Sequence, residues 1–83
     1  MVISPYYMVL KEHDEEHNSD LCEIFTQFLL NGRNVNQTSS KIFMHRNTVL
    51  NKVKKAVSVM HCEFEEYHAQ LAFVLAYMND HEI

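Results

Sequence analysis

The chain has 83 residues, of which 47% are hydrophobic and 22% charged, and its formal net charge is −4. A chain of this length forms one domain, predicted here as residues 1–83, and buries roughly 60–65% of its unfolded surface, which excludes a large catalytic cavity. With one Gly and one Pro the composition favours an all-α fold, and the short apolar runs predict neither a membrane span nor a signal peptide.

A first helix is predicted from Pro5 to about His13. Ser4 supplies a hydroxyl cap, and proline is tolerated in the first turn because its missing N–H would be unpaired there in any case. The inward side chains are predicted to be Tyr6, Val9 and Leu10. The following stretch, Lys11–Asp20, is too polar for a core and is predicted to be a frayed helix end and a loop.

A second helix begins at a capping-box pattern, in which either Asp20 with Glu23 or Ser19 alone supplies the cap. Apolar residues then recur at i, i+3, i+4, i+7 and i+8, which predicts one buried helix face. This face is predicted to comprise Leu21, Ile24, Phe25, Phe28 and Leu29. The pair Asn31-Gly32 is predicted to end the helix with a left-handed cap.

The third helix is predicted to be short, about Val35–Phe43, with Asn34 as its cap and Gln37 as the third residue of a capping box. Its inward side chains are predicted to be Val35, Ser39 and Ile42. A small residue at Ser39 lets a second helix pass closely, as the crossing of about 90–120° in a helix-turn-helix requires. The segment Phe43–His45 is predicted to be the turn.

A fourth helix is predicted from about Arg46 to Met60, with two different faces. Its buried face is predicted to comprise Val49, Val53, Ala56, Val57 and Met60. Its opposite face is predicted to comprise Arg46, Asn47, Asn51, Lys54 and Lys55, with Thr48 and Lys52 at the flanks. One apolar face and one cationic face indicate that this helix packs on the core and presents its charge outward.

The last helix is predicted over about Phe64–Asn79. Its buried face is predicted to comprise Tyr67, Leu71, Val74, Leu75 and Met78, and Phe73, Ala76 and Tyr77 widen it. So broad an apolar face on a small domain indicates a partner, either a second copy or an adjacent domain. Together the elements predict a small helical bundle of about five helices that contains a helix-turn-helix.

The charges are distributed unevenly along the chain. Six of its seven Lys and Arg lie in Arg33–Lys55, and no Asp or Glu occurs between Ile24 and Cys62, so this segment carries +6. The segments before and after it each carry −5. A basic block between acidic flanks attracts a polyanion to one face, and the alternative interpretation is a solvated basic helix that binds nothing.

The segment Phe43–Lys55, FMHRNTVLNKVKK, resembles the C-terminal helix-turn-helix domain of PucR/CdaR-type bacterial transcription regulators. The resemblance lies in a His-Arg-Asn-Thr tetrad that follows a short Asn-capped helix. Leu10 and Asp14 look like the family's leading leucine and aspartate, while Leu21–Leu30 and Leu71–Leu75 look like its first long helix and its closing helix. The segment is also similar to the Fis-type nucleoid helix-turn-helix.

The chain departs from the family pattern at two places. Ser39 stands where the family usually has Ala, and because serine is still small the helix crossing is retained. The pair Asn51-Lys52 stands where the family usually has Tyr-Arg, so the positive charge is kept and the tyrosine is lost. The family's target sequence is therefore not assumed for this chain, whereas DNA binding itself is still expected.

The resemblance implies sequence-specific binding of double-stranded DNA, with the helix of residues 46–60 lying in the major groove. The first residues of such a helix contact base edges, where Arg46 suits guanine and Asn47 or Asn51 suits adenine. Asn47 has an alternative role as the cap of this helix. The DNA-binding residues are expected to be Lys41, His45, Arg46, Asn47, Thr48, Asn51, Lys52, Lys54 and Lys55.

Within this set, Thr48 and the four lysines are assigned to phosphates, which position a domain without specifying sequence. Arg33, in the loop before the third helix, is a weaker phosphate candidate. Leu50 lies at the edge of the apolar face, where it either packs on the core or touches a thymine methyl group. A homodimer is expected, and in a longer protein an upstream sensory domain would be a further partner.

Other functions find less support in the sequence. The six histidines form no zinc motif, and the acids Glu63, Glu65 and Glu66 suit a helix start better than catalysis, so neither a metal, a cofactor nor an enzymatic activity is predicted. Cys22 and Cys62 are interpreted as reduced, partly buried side chains in a cytoplasmic protein. The alternative function is a protein-interaction or dimerisation module that has a helix-turn-helix fold but has lost DNA binding.

Overall fold

The computed structural model describes residues 4–81, which form five α-helices and no strand. The helices are α1 (Pro5–His17), α2 (Leu21–Leu30), α3 (Val35–Ile42), α4 (Arg46–Met60) and α5 (Tyr67–Asp80). The second helix packs against all four others, whereas α3 contacts only α2 and α4, and α5 contacts only α1 and α2. The predicted all-α bundle of about five helices is confirmed, and α4 has the predicted bounds.

A cluster of aromatic rings forms the centre of the core. The rings of Phe25, Phe64 and Phe73 contact one another edge to face, with centroids 5.1–5.5 Å apart, and each side chain is at most 1% exposed. Such pairs contribute about 0.5–1.5 kcal/mol each beyond their buried area. The five predicted apolar residues of α2 are all buried, so that face is confirmed.

The inward face of α1 differs from the prediction. Tyr7 and Leu10 are buried, whereas Tyr6 and Val9 are 38% and 47% exposed. The ring of Tyr7 packs edge to face on Phe73 at 5.5 Å and is buried in the core, whereas the more exposed Tyr6 packs edge to face on Phe64 at 5.3 Å. The predicted cap is confirmed, since the Ser4 hydroxyl accepts a hydrogen bond from the Tyr7 N–H at 3.2 Å.

The first helix is also longer than predicted. The sequence predicts a frayed end and a loop over Lys11–Asp20, but the helix continues to His17 and ends with Asn18 in the left-handed region at φ 51°. Lysine and glutamate are good helix formers, so a polar stretch continues a helix that is already nucleated. The Lys11 ammonium also lies 3.0 Å from the Asp80 carboxylate at the end of α5.

The start of α2 is capped from α1 rather than by its own first residues. Neither predicted capping interaction forms: the Asp20 side chain makes no cap bond, and the Ser19 hydroxyl donates instead to Asp14. The Asp14 carboxylate accepts the Leu21 N–H at 3.0 Å and the Cys22 N–H at 2.8 Å. Burial opposes ionisation of Asp14, but these hydrogen bonds outweigh it and hold the Asp14 pKa below its ordinary value.

The predicted buried face of α5 is largely wrong. Val74 is buried as predicted, but the other four residues are 40–69% exposed, namely Tyr67, Leu71, Leu75 and Met78. The residues that face the core are Phe73 and Ala76, and Tyr77 packs partly against it. The helix also begins at Tyr67, three residues later than predicted, because Phe64 sits in a left-handed conformation at φ 58° and is buried ahead of it.

Candidate nucleic-acid interface

The connection into α3 follows the predicted caps. Gly32, at φ 66°, adopts the left-handed conformation that ends α2, and the Arg33 N–H donates to the Phe28 carbonyl at 2.9 Å. The Asn34 side chain then accepts the Gln37 N–H at 2.9 Å, which fixes the first turn of α3. Because both ends of this loop are closed by hydrogen bonds, α3 has a defined starting direction.

The inward face of α3 is centred on a residue that the sequence pattern does not single out. Thr38 is fully buried and its hydroxyl donates to the Asn34 carbonyl at 2.7 Å, whereas the predicted residues Val35, Ser39 and Ile42 are only half-buried. The pattern misses this polar residue because the intrahelical hydrogen bond that permits its burial is not visible in the sequence. Val35 and Ile42 still pack against the core, so the predicted face is shifted rather than reversed.

The turn between α3 and α4 lies where it is predicted. Phe43 ends α3 in the left-handed region at φ 57°, and its side chain is 93% exposed. His45 is the N-cap of α4, because its Nδ1 accepts the Asn47 N–H at 3.1 Å. Asn47 is therefore not the cap of this helix, and its exposed side chain keeps its polar atoms available to solvent or a ligand.

The fourth helix has the two faces that the sequence predicts. Val49, Val53, Ala56 and Met60 are at most 7% exposed, and Val57 is half-buried beside them. The outward residues Arg46, Asn47, Asn51, Lys54 and Lys55 are all exposed, while Thr48, Leu50 and Lys52 are half-buried at the flanks. Lys41 is exposed in the last turn of α3, and His45 is exposed at the turn.

The first residue of α4 is tied to the first turn of α3. Arg46 Nε donates to Asn36 Oδ1 at 2.7 Å, and both side chains are exposed. This hydrogen bond spans the helix-turn-helix and restricts the orientation of the Arg46 guanidinium. Nothing in the spacing of residues 36 and 46 indicates such a contact, because it depends on how the turn folds α4 back beside α3.

A second contact ties the middle of α4 to the start of α2. The Lys52 ammonium lies 2.7 Å from Asp20 Oδ1, and the two side chains are 33% and 48% exposed. One lysine of the candidate surface is thus paired with an acid from outside the basic segment. The sequence pattern indicates a capping role for Asp20. Its pairing with Lys52 depends on the packing of α2 against α4 and is seen only in the folded structure.

Arg33, the first cation of the basic segment, lies outside the helix-turn-helix and contacts another part of the chain. Arg33 is exposed, and its Nη2 donates to the Glu63 carbonyl at 3.2 Å. This bond ties the loop before α3 to the segment between α4 and α5. Asn47, Asn51, Lys54 and Lys55 are therefore exposed along α4, and Arg46 is exposed at its first residue, beside Asn36. Arg33 is instead bonded to the backbone of Glu63.

Three other features of the described residues bear on function. No helix within residues 4–81 has the length and the apolar character needed to cross a bilayer. Within the same range, no three His, Cys, Asp or Glu side chains are grouped closely enough to hold a metal ion. Cys22 is buried and Cys62 half-buried, and both are free thiols.

Comparison with known proteins gives one match. The family described as the PucR C-terminal helix-turn-helix domain matches residues 21–78 of this chain. The matched range runs from the first residue of α2 into the last turn of α5 and includes most of the chain. No curated protein and no solved structure matches the chain.

Proposed function

We propose that this chain, which belongs to the PucR C-terminal helix-turn-helix domain family, binds double-stranded DNA in a sequence-specific manner. We take residues 1–83 as one domain, the output domain of a transcription regulator whose sensory part would lie upstream in a longer protein. As expected for such a regulator, its site of action would be the cytoplasm. The fourth helix is the proposed recognition helix, which would lie in the major groove.

The observation that carries this proposal is the outward face of α4. Its exposed residues are polar or cationic, and the valines and Met60 on the opposite side of the helix pack against the core. Since no acid occurs between Ile24 and Cys62, the cations on this face are not neutralised from within their own segment. An interaction module that had lost DNA binding would not require this concentration of positive charge.

The residues at the start of α4 suit contact with base edges. Arg46 can donate two hydrogen bonds to the O6 and N7 atoms of guanine, and an exposed asparagine, Asn47 or Asn51, can bind the N6 and N7 atoms of adenine. The cap of α4 uses His45 Nδ1, and Nε2 is the ring nitrogen that this hydrogen bond leaves unused. We assign these four residues to sequence recognition.

The lysines around them suit contact with phosphate. Lys54 and Lys55 are exposed on α4, Lys41 is exposed on α3, and Lys52 becomes available when its ion pair with Asp20 opens. Thr48, half-buried at the flank, would add a hydroxyl donor. Contacts of this kind fix the position of the domain on the duplex and make binding dependent on salt.

We further propose that the domain pairs with a second copy of itself through α5. The exposed residues Tyr67, Leu71, Leu75 and Met78 form one stripe along this helix. The range 67–79 contains no Lys, Arg, Asp or Glu, so two copies meet without repulsion between like charges. In an antiparallel pair, Leu71 of each copy faces Leu75 of the other, which is the self-complementarity a two-fold interface requires.

Pairing through this stripe would leave the proposed DNA-binding surface uncovered, because α5 makes no contact with α3 or α4 among the residues that the structure describes. Two recognition helices would then be free to contact half-sites about one helical turn of DNA apart. The dimer proposal and the DNA proposal are therefore compatible.

A gel-shift assay with the DNA upstream of the protein's own gene tests the proposed function. We expect a shifted complex. Unlabelled DNA of the same sequence should compete it away at a lower concentration than unlabelled DNA of unrelated sequence. The substitution Lys54→Gln should weaken the shift, whereas the matched control Lys11→Gln, which removes a cation from α1, should not. Absence of a shift with any duplex, in a protein that is folded and dimeric, would instead favour the protein-interaction module.

A further inference from the structure

The hydrogen bond between Asn36 and Arg46 has a consequence for base recognition. Asn36 lies in the first turn of α3, which Asn34 caps, and its own carbonyl accepts the Ser39 hydroxyl at 2.9 Å. The backbone that carries the Asn36 amide is therefore held at two points. Its Oδ1 atom presents a fixed acceptor to Arg46 Nε at 2.7 Å.

This bond selects one of two ways in which an arginine can bind guanine. A guanidinium has five N–H groups, one on Nε and two on each terminal nitrogen. A bidentate contact uses either Nε with one terminal nitrogen or the two terminal nitrogens together. Because Asn36 occupies Nε, Arg46 retains only the end-on contact through Nη1 and Nη2.

The bond also reduces the cost of ordering the Arg46 side chain. An exposed arginine has large rotamer freedom, and a base contact must order several of its torsions. A side chain that is already tied to a neighbouring helix has lost part of this freedom before it meets DNA. The bond to Asn36 would thus order part of the Arg46 side chain before it meets DNA.

We infer that Asn36 is a specificity-determining residue, which holds the Arg46 guanidinium end-on towards a guanine in the major groove. It acts through Arg46 and is a positioning residue, and the inference rests on the proposed DNA-binding function. The Asn36 side chain is itself exposed, so its amide N–H groups are accessible from solvent. A direct contact from that amide to a phosphate is the competing role, and it predicts a different result in the experiment below.

Selection from a library of random duplexes tests this inference, because it does not require a known operator sequence. The selection is run with the unaltered protein, with Arg46→Ala and with Asn36→Ala. Asn36→Asp is the conservative variant, since it keeps the acceptor for Nε, and Asn79→Ala is the matched control, an exposed asparagine on α5. Thermal melts followed by circular dichroism confirm that each variant is folded.

We expect the unaltered protein to enrich a site in which one guanine preference disappears in Arg46→Ala. Asn36→Ala should weaken that same preference by about two- to tenfold and leave the other positions unchanged. Asn36→Asp should retain the preference while binding all duplexes less tightly, because it adds a negative charge. In the Arg46→Ala background, Asn36→Ala should have no further effect at that position.

The failures of the two proposals are distinguishable. If the unaltered protein enriches no site, the proposed DNA-binding function itself is wrong. If it enriches a site and Asn36→Ala keeps the full guanine preference, the positioning role of Asn36 is overturned. A uniform loss of affinity for every duplex in Asn36→Ala also overturns it, since that result assigns Asn36 to a phosphate.

Discussion

The Lys52 ammonium lies 2.7 Å from the Asp20 carboxylate, so an acid at the start of α2 neutralises a lysine of the proposed recognition helix. A DNA phosphate would have to compete with Asp20 for this cation. The pair is partly exposed, and such pairs contribute about 0.2–1 kcal/mol. The ion pair therefore competes with DNA for Lys52, but it is weak enough for a phosphate to replace Asp20.

The substitution Asp20→Asn should consequently raise the affinity for duplex DNA, by up to about fivefold at low salt. Fluorescence anisotropy with a labelled duplex measures the change. Glu65→Gln is the matched control, because it removes an exposed acid outside the α2–α4 contact and reports only the effect of net charge. Equal gains in the two variants would mean that the ion pair does not restrain Lys52.

Asp14 caps the start of α2, and its substitution should destabilise the fold. Asp14→Asn replaces one acceptor oxygen by a donor that faces the Cys22 N–H, so we expect a loss of about 1–2 kcal/mol in the free energy of unfolding at pH 7. Denaturation by urea measures this loss. Glu23→Gln, an exposed acid in the first turn of the capped helix, should change stability little.

The same carboxylate predicts a pH dependence of stability. The Asp14 pKa is lowered in the folded state, so its contribution is complete above the ordinary value of 3.8 and is lost as the pH falls from there through the folded value. Urea titrations in this acid range should show stability falling more steeply for the unaltered protein than for Asp14→Asn. Parallel curves for the two proteins would exclude Asp14 as a cause of acid destabilisation.

The positions of helices α2, α3 and α4 could be predicted well from the sequence, because α2 and α4 each have one apolar face and α3 has the predicted Asn34 cap, whereas the caps of α2 and α4 were not predicted. The valines of α4 alternate with lysines and asparagines, so only one orientation buries apolar surface. The family resemblance rests on the same segment. The partners of Arg46 and Lys52 were not predictable, because Asn36 and Asp20 reach them only through the tertiary arrangement.

In the last helix, α5, the hydrophobic periodicity did not predict the correct buried face. The range 67–79 is apolar on several sides and has no Lys, Arg, Asp or Glu, so two different stripes satisfy the helical repeat. The core selects the stripe of Phe73 because that ring completes the cluster with Phe25 and Phe64. Most of the stripe that the sequence predicts to be buried is left exposed by the fold.

That exposed stripe makes the dimer proposal testable. Leu75→Lys places a charge in the middle of the stripe and should convert a dimer to a monomer in sedimentation equilibrium. Leu30→Lys is the control, since Leu30 is also exposed, at 52%, but lies at the end of α2. A protein that sediments as a monomer before any substitution, at concentrations of about 100 µM, where weak dimers form, would contradict pairing through α5.

The salt dependence of DNA binding tests the central claim, that the exposed cationic face of α4 is the surface that contacts DNA. If the domain neutralises four to six phosphates, a plot of log K against log salt concentration should have a slope of about −4 to −5. Lys54→Gln should reduce the magnitude of this slope by about 1, and Lys11→Gln should leave it unchanged. A flat plot, or equal slopes for the unaltered protein and Lys54→Gln, would contradict the claim.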